Sequence, residues 1–102
     1  MHGDTVYIAG IVADDTSQDV TGQTRQILAK MDDVLARAGT DKSRLLSATV
    51  WLADVDFYDD VNAVWDAWVP AGESPARACV EAKLADSEYR VEIAAIAARA
   101  GS

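Results

Sequence analysis

One cysteine, one histidine, two prolines and one phenylalanine are spread over 102 residues, and each scarcity removes a class of reading. A lone Cys79 forms no intrachain disulfide, which suits a reducing compartment and predicts a cytoplasmic protein. With His2 as the only imidazole, the chain has no histidine pair at metal-ligand spacing and no histidine-based acid–base pair. Nine Lys and Arg against seventeen Asp and Glu give a net charge of −8. No basic cluster exists to neutralise phosphates, so no nucleic-acid partner is expected, and a ribonuclease reading fits poorly. No apolar run approaches the roughly 20 residues of a membrane span. The start "MHGDTVYIAG" lacks the basic and apolar regions of a signal peptide, so no membrane partner is expected either.

What is present is ordinary globular composition, 50% hydrophobic and 25% charged. It predicts a single domain over residues 1–102 with one core. "DTVYIAGIV" (4–12) is β-branched and aromatic and reads as a strand. After the polar stretch "ADDTSQDVTG", apolar residues recur at Val20, Ile27, Leu28, Met31, Val34, Leu35 and Ala38, a helical stripe that Gly39 closes. "LLSATVWLA" (45–53) is apolar on both faces, which predicts a central strand of a covered sheet. "DVDFYDDVNAVWDAWV" (54–69) is a second helix with Phe57, Val61, Val64, Trp65 and Trp68 on one face and Asp54 or Asp56 as cap. "PAGESP" is a turn. Strands at 76–84 and 89–99 follow, joined by "ADSE", short enough for an antiparallel hairpin. The order is α+β, with both helices on one face of a sheet. The other face then needs cover, and self-association supplies it.

"SPARACVEAKL" (74–84) is the informative stretch. Alternation puts Ala78, Val80, Ala82 and Leu84 on one face, expected to be the helix-facing core, and Arg77, Cys79, Glu81 and Lys83 on the other. Pro75 sets the extended approach to Arg77. A nucleophilic Cys79 needs a base or a positive field, and the sequence favours a small packing residue instead. Asp54, Asp56, Asp59 and Asp60 lack the spacing and glycine of a calcium loop and read as a capped, solvated helix start, so no metal is expected. Trp51, Trp65 and Trp68 read as core or interface. Arg77 and Glu92 remain. They form either a structural or interfacial ion pair, or an arginine fork for a carboxylate with an acid that handles water and protons. Pairing within one chain does not obviously bring them together, whereas a subunit interface can.

"SPARACVEAKL" followed by "VEIAAIA", with Arg77 and Glu92 in register, resembles the carboxyl-terminal signature of the RidA/YjgF family. The likeness extends back through "VYIAG", "TRQILAKMDDVLARAG", "LLSATVWLADV" and "DFYDDVNAVWDAWV", nearly the whole chain. "NAVWDAWVPAG" and "SEYRVEI" look most like its YoaB branch. The resemblance implies a chorismate-mutase-like α+β fold, two helices packed on one face of a mixed sheet, and a homotrimeric barrel with three clefts between subunits. It implies RutC-like hydrolytic deamination of reactive enamines and imines, such as 2-aminoacrylate and 2-imino acids, to 2-oxo acids and ammonia, with no cofactor. By position, Arg77 matches the arginine that binds the substrate carboxylate, and Glu92 the acid that positions or activates water. Cys79 matches a cysteine of the cleft wall, Asn62 an asparagine beside the site, and Gly10 a glycine whose backbone approaches the ligand.

Two features depart from the family pattern. The earlier strand with a cleft-closing aromatic, usual in the family, is expected to be missing before "DTVYIAG". Ala9 stands where many members carry a hydroxyl residue. These departures motivate a rival expectation from another class, a non-catalytic trimer that binds small carboxylates or a protein partner through the same clefts.

Overall fold

In the computed structural model, residues 4–72 and 74–99 are described. Four strands make one sheet: β1 (Thr5–Ile11), β2 (Leu45–Leu52), β3 (Ala76–Glu81) and β4 (Val91–Ala98). Their order across the sheet is β1-β4-β2-β3. Helix α1 (Val20–Arg37) joins β1 to β2, and α2 (Tyr58–Trp68) joins β2 to β3.

The helices begin and end where local chemistry requires. The Asp19 carboxylate caps α1 by accepting from the Gly22 amide at 2.8 Å, satisfying a donor that the first turn leaves free. At the other end Gly39 takes φ +80°. That left-handed turn lets the Gly39 and Thr40 amides donate back to the Ala36 and Leu35 carbonyls, the paired bonds of a Schellman stop. Asp54 caps a short 3-10 turn, Val55–Phe57, that leads into α2. The acidic run at 54–60 is therefore helix-start chemistry in part, and no metal-binding group of acids, His and Cys occurs among the described residues.

The core lies between the helices and one face of the sheet. Ile27, Leu28, Met31 and Leu35 of α1 and Val61 and Trp65 of α2 pack on Val50, Leu52, Val91 and Ile93. The periodic stripe read from the sequence is thus the buried stripe. Gln23 is fully buried as well. Its amide donates to the carbonyls of Thr16, Gln18 and Glu88 and accepts from the Arg90 amide, pinning the start of α1 to the loop before β4. No helix among the described residues is long and apolar enough to cross a membrane.

Two expectations are corrected. Strands β3 and β4 do not form a hairpin: β3 pairs parallel with β2, and β4 lies antiparallel between β1 and β2. A parallel partner needs a crossover, which α2 provides, and the chain from 82 to 90 then passes the end of β2. The strand predicted over 76–84 accordingly stops at Glu81. The second correction concerns sides. Arg77 and Cys79 stand in register with Ala48 and Val50, and Ala78 and Val80 with Thr49 and Trp51. The helix-facing side of β3 is therefore the Arg77–Cys79 side, and Val80 is 48% exposed on the open face. Alternation tells which residues share a face. It does not tell which face the helix covers, and here α2 lays aromatic rings over the polar one.

Candidate functional site

The site grows from the first residues of β3. Strand β3 is an edge of the sheet, so Arg77 projects under α2 near the rim of the core. Its Nη2 donates to Asn62 Oδ1 at 2.5 Å. The guanidinium carbon lies 5.5 Å from the Trp65 ring centre and 6.0 Å from that of Tyr58. Tyr58, Asn62 and Trp65 follow one another at i, i+4 and i+7, so a single face of α2 presents all three. That spacing is visible in the sequence, yet Trp65 reads there as plain core and Tyr58 draws no notice.

The other end of the fork is different. Arg77 Nη1 is buried and has no hydrogen-bond partner. Ion pairs among the described residues are Lys30–Asp14 and Arg37–Asp33, and neither involves Arg77. A buried donor without a partner is costly and rare in folded proteins. A carboxylate arriving at Nη1 would satisfy it with a charge-assisted bond. Cys79 sits two residues on along the same face, half-buried against the core. Burial pushes its thiol pKa up, and the Arg77 charge offsets this only in part. A neutral thiol serves as wall, not as nucleophile.

Glu92 and Gly10 lie on the opposite face. Glu92 is opposite Trp51 on β2, in the set that alternates with buried Val91 and Ile93. The pairing of β1 with β4 slips between Ile8 and Ile11, so that Ala9 and Gly10 together face the single residue between Ala95 and Ile93. That is a β-bulge, a device common beside functional sites. It brings the Gly10 backbone under the Glu92 side chain, where a Cβ on Gly10 would stand 2.0 Å from Oε2. The structure thus gathers Arg77, Asn62 and Cys79 in one group and Glu92 and Gly10 in another. Within one chain the sheet separates the two. The open face that carries Glu92 is largely apolar, with Tyr7, Trp51, Val80, Ala94 and Ile96 on it, and a shallow groove of ≈ 340 Å³ that also meets Ser47 and Thr49 crosses it.

Fold and site define a class: a small α+β protein with two helices on a mixed four-stranded sheet and an unpaired arginine donor at the sheet's edge. The protein-family profile described as Endoribonuclease L-PSP matches residues 1–99, and the chain belongs to that family. Relatives at 42–47% identity are of the RutC and YoaB kind. A RutC family protein from Haemophilus ducreyi is 47% identical over 92 residues, covering 90% of this chain and 79% of the relative. RutC family protein YoaB of Escherichia coli is 42% identical over 98 residues, 96% of this chain and 85% of the relative. A more distant relative from Salmonella typhimurium, 32% identical over 85 residues (81% of this chain, 66% of the relative), is named 2-iminobutanoate/2-iminopropanoate deaminase. Among solved structures, a YjgF family member from Neisseria meningitidis superposes with a TM-score of 0.91 at 42% identity, over 97% of this chain and 82% of that one.

Proposed function

We propose that the chain hydrolyses small reactive 2-imino acids and their enamine tautomers to 2-oxo acids and ammonia, as a homotrimer with its sites between subunits. One observation carries the reading: the buried, unpartnered Nη1 of Arg77, a donor built for an anion. The name of the Salmonella relative supports the reaction class, and the uncovered apolar sheet face supports assembly. In this reading Arg77 holds the substrate carboxylate. Water adds to the imine carbon, whose nitrogen takes a proton. The C–N bond of the resulting carbinolamine then breaks, releasing ammonia and leaving the 2-oxo acid. Glu92 orients that water and relays the proton to the departing nitrogen. The imine carbon is already electrophilic, so orientation and one acid–base group suffice. Gly10 gives the Glu92 carboxylate room, and Cys79 lines the cleft.

The test generates the imine in situ with an amino-acid oxidase and follows ammonia release. Arg77→Ala abolishes turnover, and Arg77→Lys fails as well because it keeps the charge but loses the planar fork. Unchanged turnover by Arg77→Ala sinks the assignment. A second reading is a non-catalytic carboxylate binder, favoured by the placement of Glu92 on the opposite face from Arg77. Carboxylates that raise the melting temperature of the native protein, with no turnover of any imine, select it.

A further inference from the structure

The way Arg77 is held carries a further inference, one that rests on its reading as a carboxylate clamp. A half-buried arginine is most strongly fixed by a carboxylate, which also cancels its charge. Among the described residues, no carboxylate pairs with it here. Its guanidinium is instead held by three neutral groups from one face of α2: the Asn62 amide oxygen and the rings of Trp65 and Tyr58. An aromatic face attracts a cation without supplying a counter-charge, and it favours the planar guanidinium over an ammonium. Arginine can only donate, so the Asn62 oxygen is the end that faces it. That contact occupies Nη2 and leaves Nη1 for the ligand. We propose that Tyr58 and Trp65 are positioning residues, a π platform that fixes the Arg77 fork in register while keeping its full positive charge available to a bound carboxylate.

The experiment titrates the intact protein with pyruvate, a 2-oxo acid product, by calorimetry, with a thermal melt of every variant. Tyr58 is 44% exposed, so Tyr58→Leu leaves the melting temperature in place. It weakens pyruvate binding about three- to tenfold, and Tyr58→Phe, which restores the ring, recovers most of that loss. Trp65 is 5% exposed in the core, so Trp65→Leu is read beside Trp65→Phe, and the ring again carries the affinity. Native affinity in Tyr58→Leu at native melting temperature overturns the inference. So does a Tyr58→Phe variant as weak as Tyr58→Leu. Arg77→Ala separates the two levels. If it binds pyruvate as tightly as the native protein, the clamp reading itself falls and the platform with it. If it loses binding while both leucine variants keep it, only the platform falls.

Discussion

Gly10→Ala is the sharpest perturbation of the proposed chemistry, because it moves one atom group and little else. The added Cβ stands 2.0 Å from Glu92 Oε2, 2.8 Å from Cδ and 3.1 Å from Cγ. Cβ atoms do not tolerate neighbours within 3.0 Å, so the carboxylate must retreat by about 1 Å. Gly10 does not have a positive φ, so the backbone accepts alanine without strain. Alanine restricts the unfolded chain and favours the fold by about 0.4–1 kcal/mol. Pushing one glutamate off its rotamer costs about 0.5–1.5 kcal/mol. These nearly cancel, so a urea melt shifts by less than about 1 kcal/mol. Turnover responds otherwise: an error of about 1 Å in a reacting group costs up to roughly 100-fold, and ammonia release falls ten- to a hundredfold on that scale. The cycle with Glu92→Ala isolates the route. In that background Gly10→Ala has no further effect, since the group it displaces is gone. Full activity in Gly10→Ala, or an equal loss with and without Glu92, refutes the idea that the bulge exists to seat this carboxylate.

Three further outcomes follow from the same geometry. Because burial raises the Cys79 pKa, its alkylation by iodoacetamide rises with pH through an inflection above that of free cysteine. An inflection below it places a reactive thiolate in the site. Gln23→Leu strips the partner from four part-buried backbone groups and destabilises the fold by about 1–3 kcal/mol in urea, and a loss under about 0.5 kcal/mol refutes its pinning role. Arg77→Ala, inactive alone, and Glu92→Ala, which alone keeps only a small residual turnover, regain about a quarter of native activity when co-assembled at equal ratio, since about one interface in four of a cyclic oligomer then carries both intact groups. Verified mixed oligomers without turnover rule out a site shared in that way.

The sequence was legible where a local rule had one outcome. Helix α1 is set by its stripe and by Gly39, and both appear where the period of 3.6 puts them. It was less legible where the same local pattern serves two tertiary arrangements. The chain from 82 to 90 is short enough for a hairpin, but β2–α2–β3 is itself a parallel unit, and β4 crosses to the far side of β2 to pair with both β2 and β1, leaving the outer side of β3 as an edge. The alternation from Arg77 to Leu84 fixes two faces and leaves their burial undecided. The more apolar set looks like core only if the helix above is assumed to want apolar partners. Helix α2 offers Tyr58, Asn62 and Trp65 at that place, and a guanidinium suits that surface better than valine does. The bulge at Ala9–Gly10 left no mark beyond the glycine, because a bulge depends on the partner strand as much as on its own residues.

In the proposed reaction, the separation of Arg77 from Glu92 has a chemical use. An arginine and a glutamate within reach of each other on one face of a sheet would pair, and each would quench what the other offers: the fork would be filled and the carboxylate masked. On opposite faces neither can do so within one chain, and neither is in an ion pair among the described residues. Arg77 keeps an empty donor, held only by neutral groups. Glu92 keeps a free carboxylate, seated on a glycine that leaves it space. In the proposed oligomer a small substrate, anionic at one end and electrophilic at the next atom, then meets the cation of one subunit and the acid of its neighbour. Assembly completes the site with both groups unspent, because the fold has kept them apart.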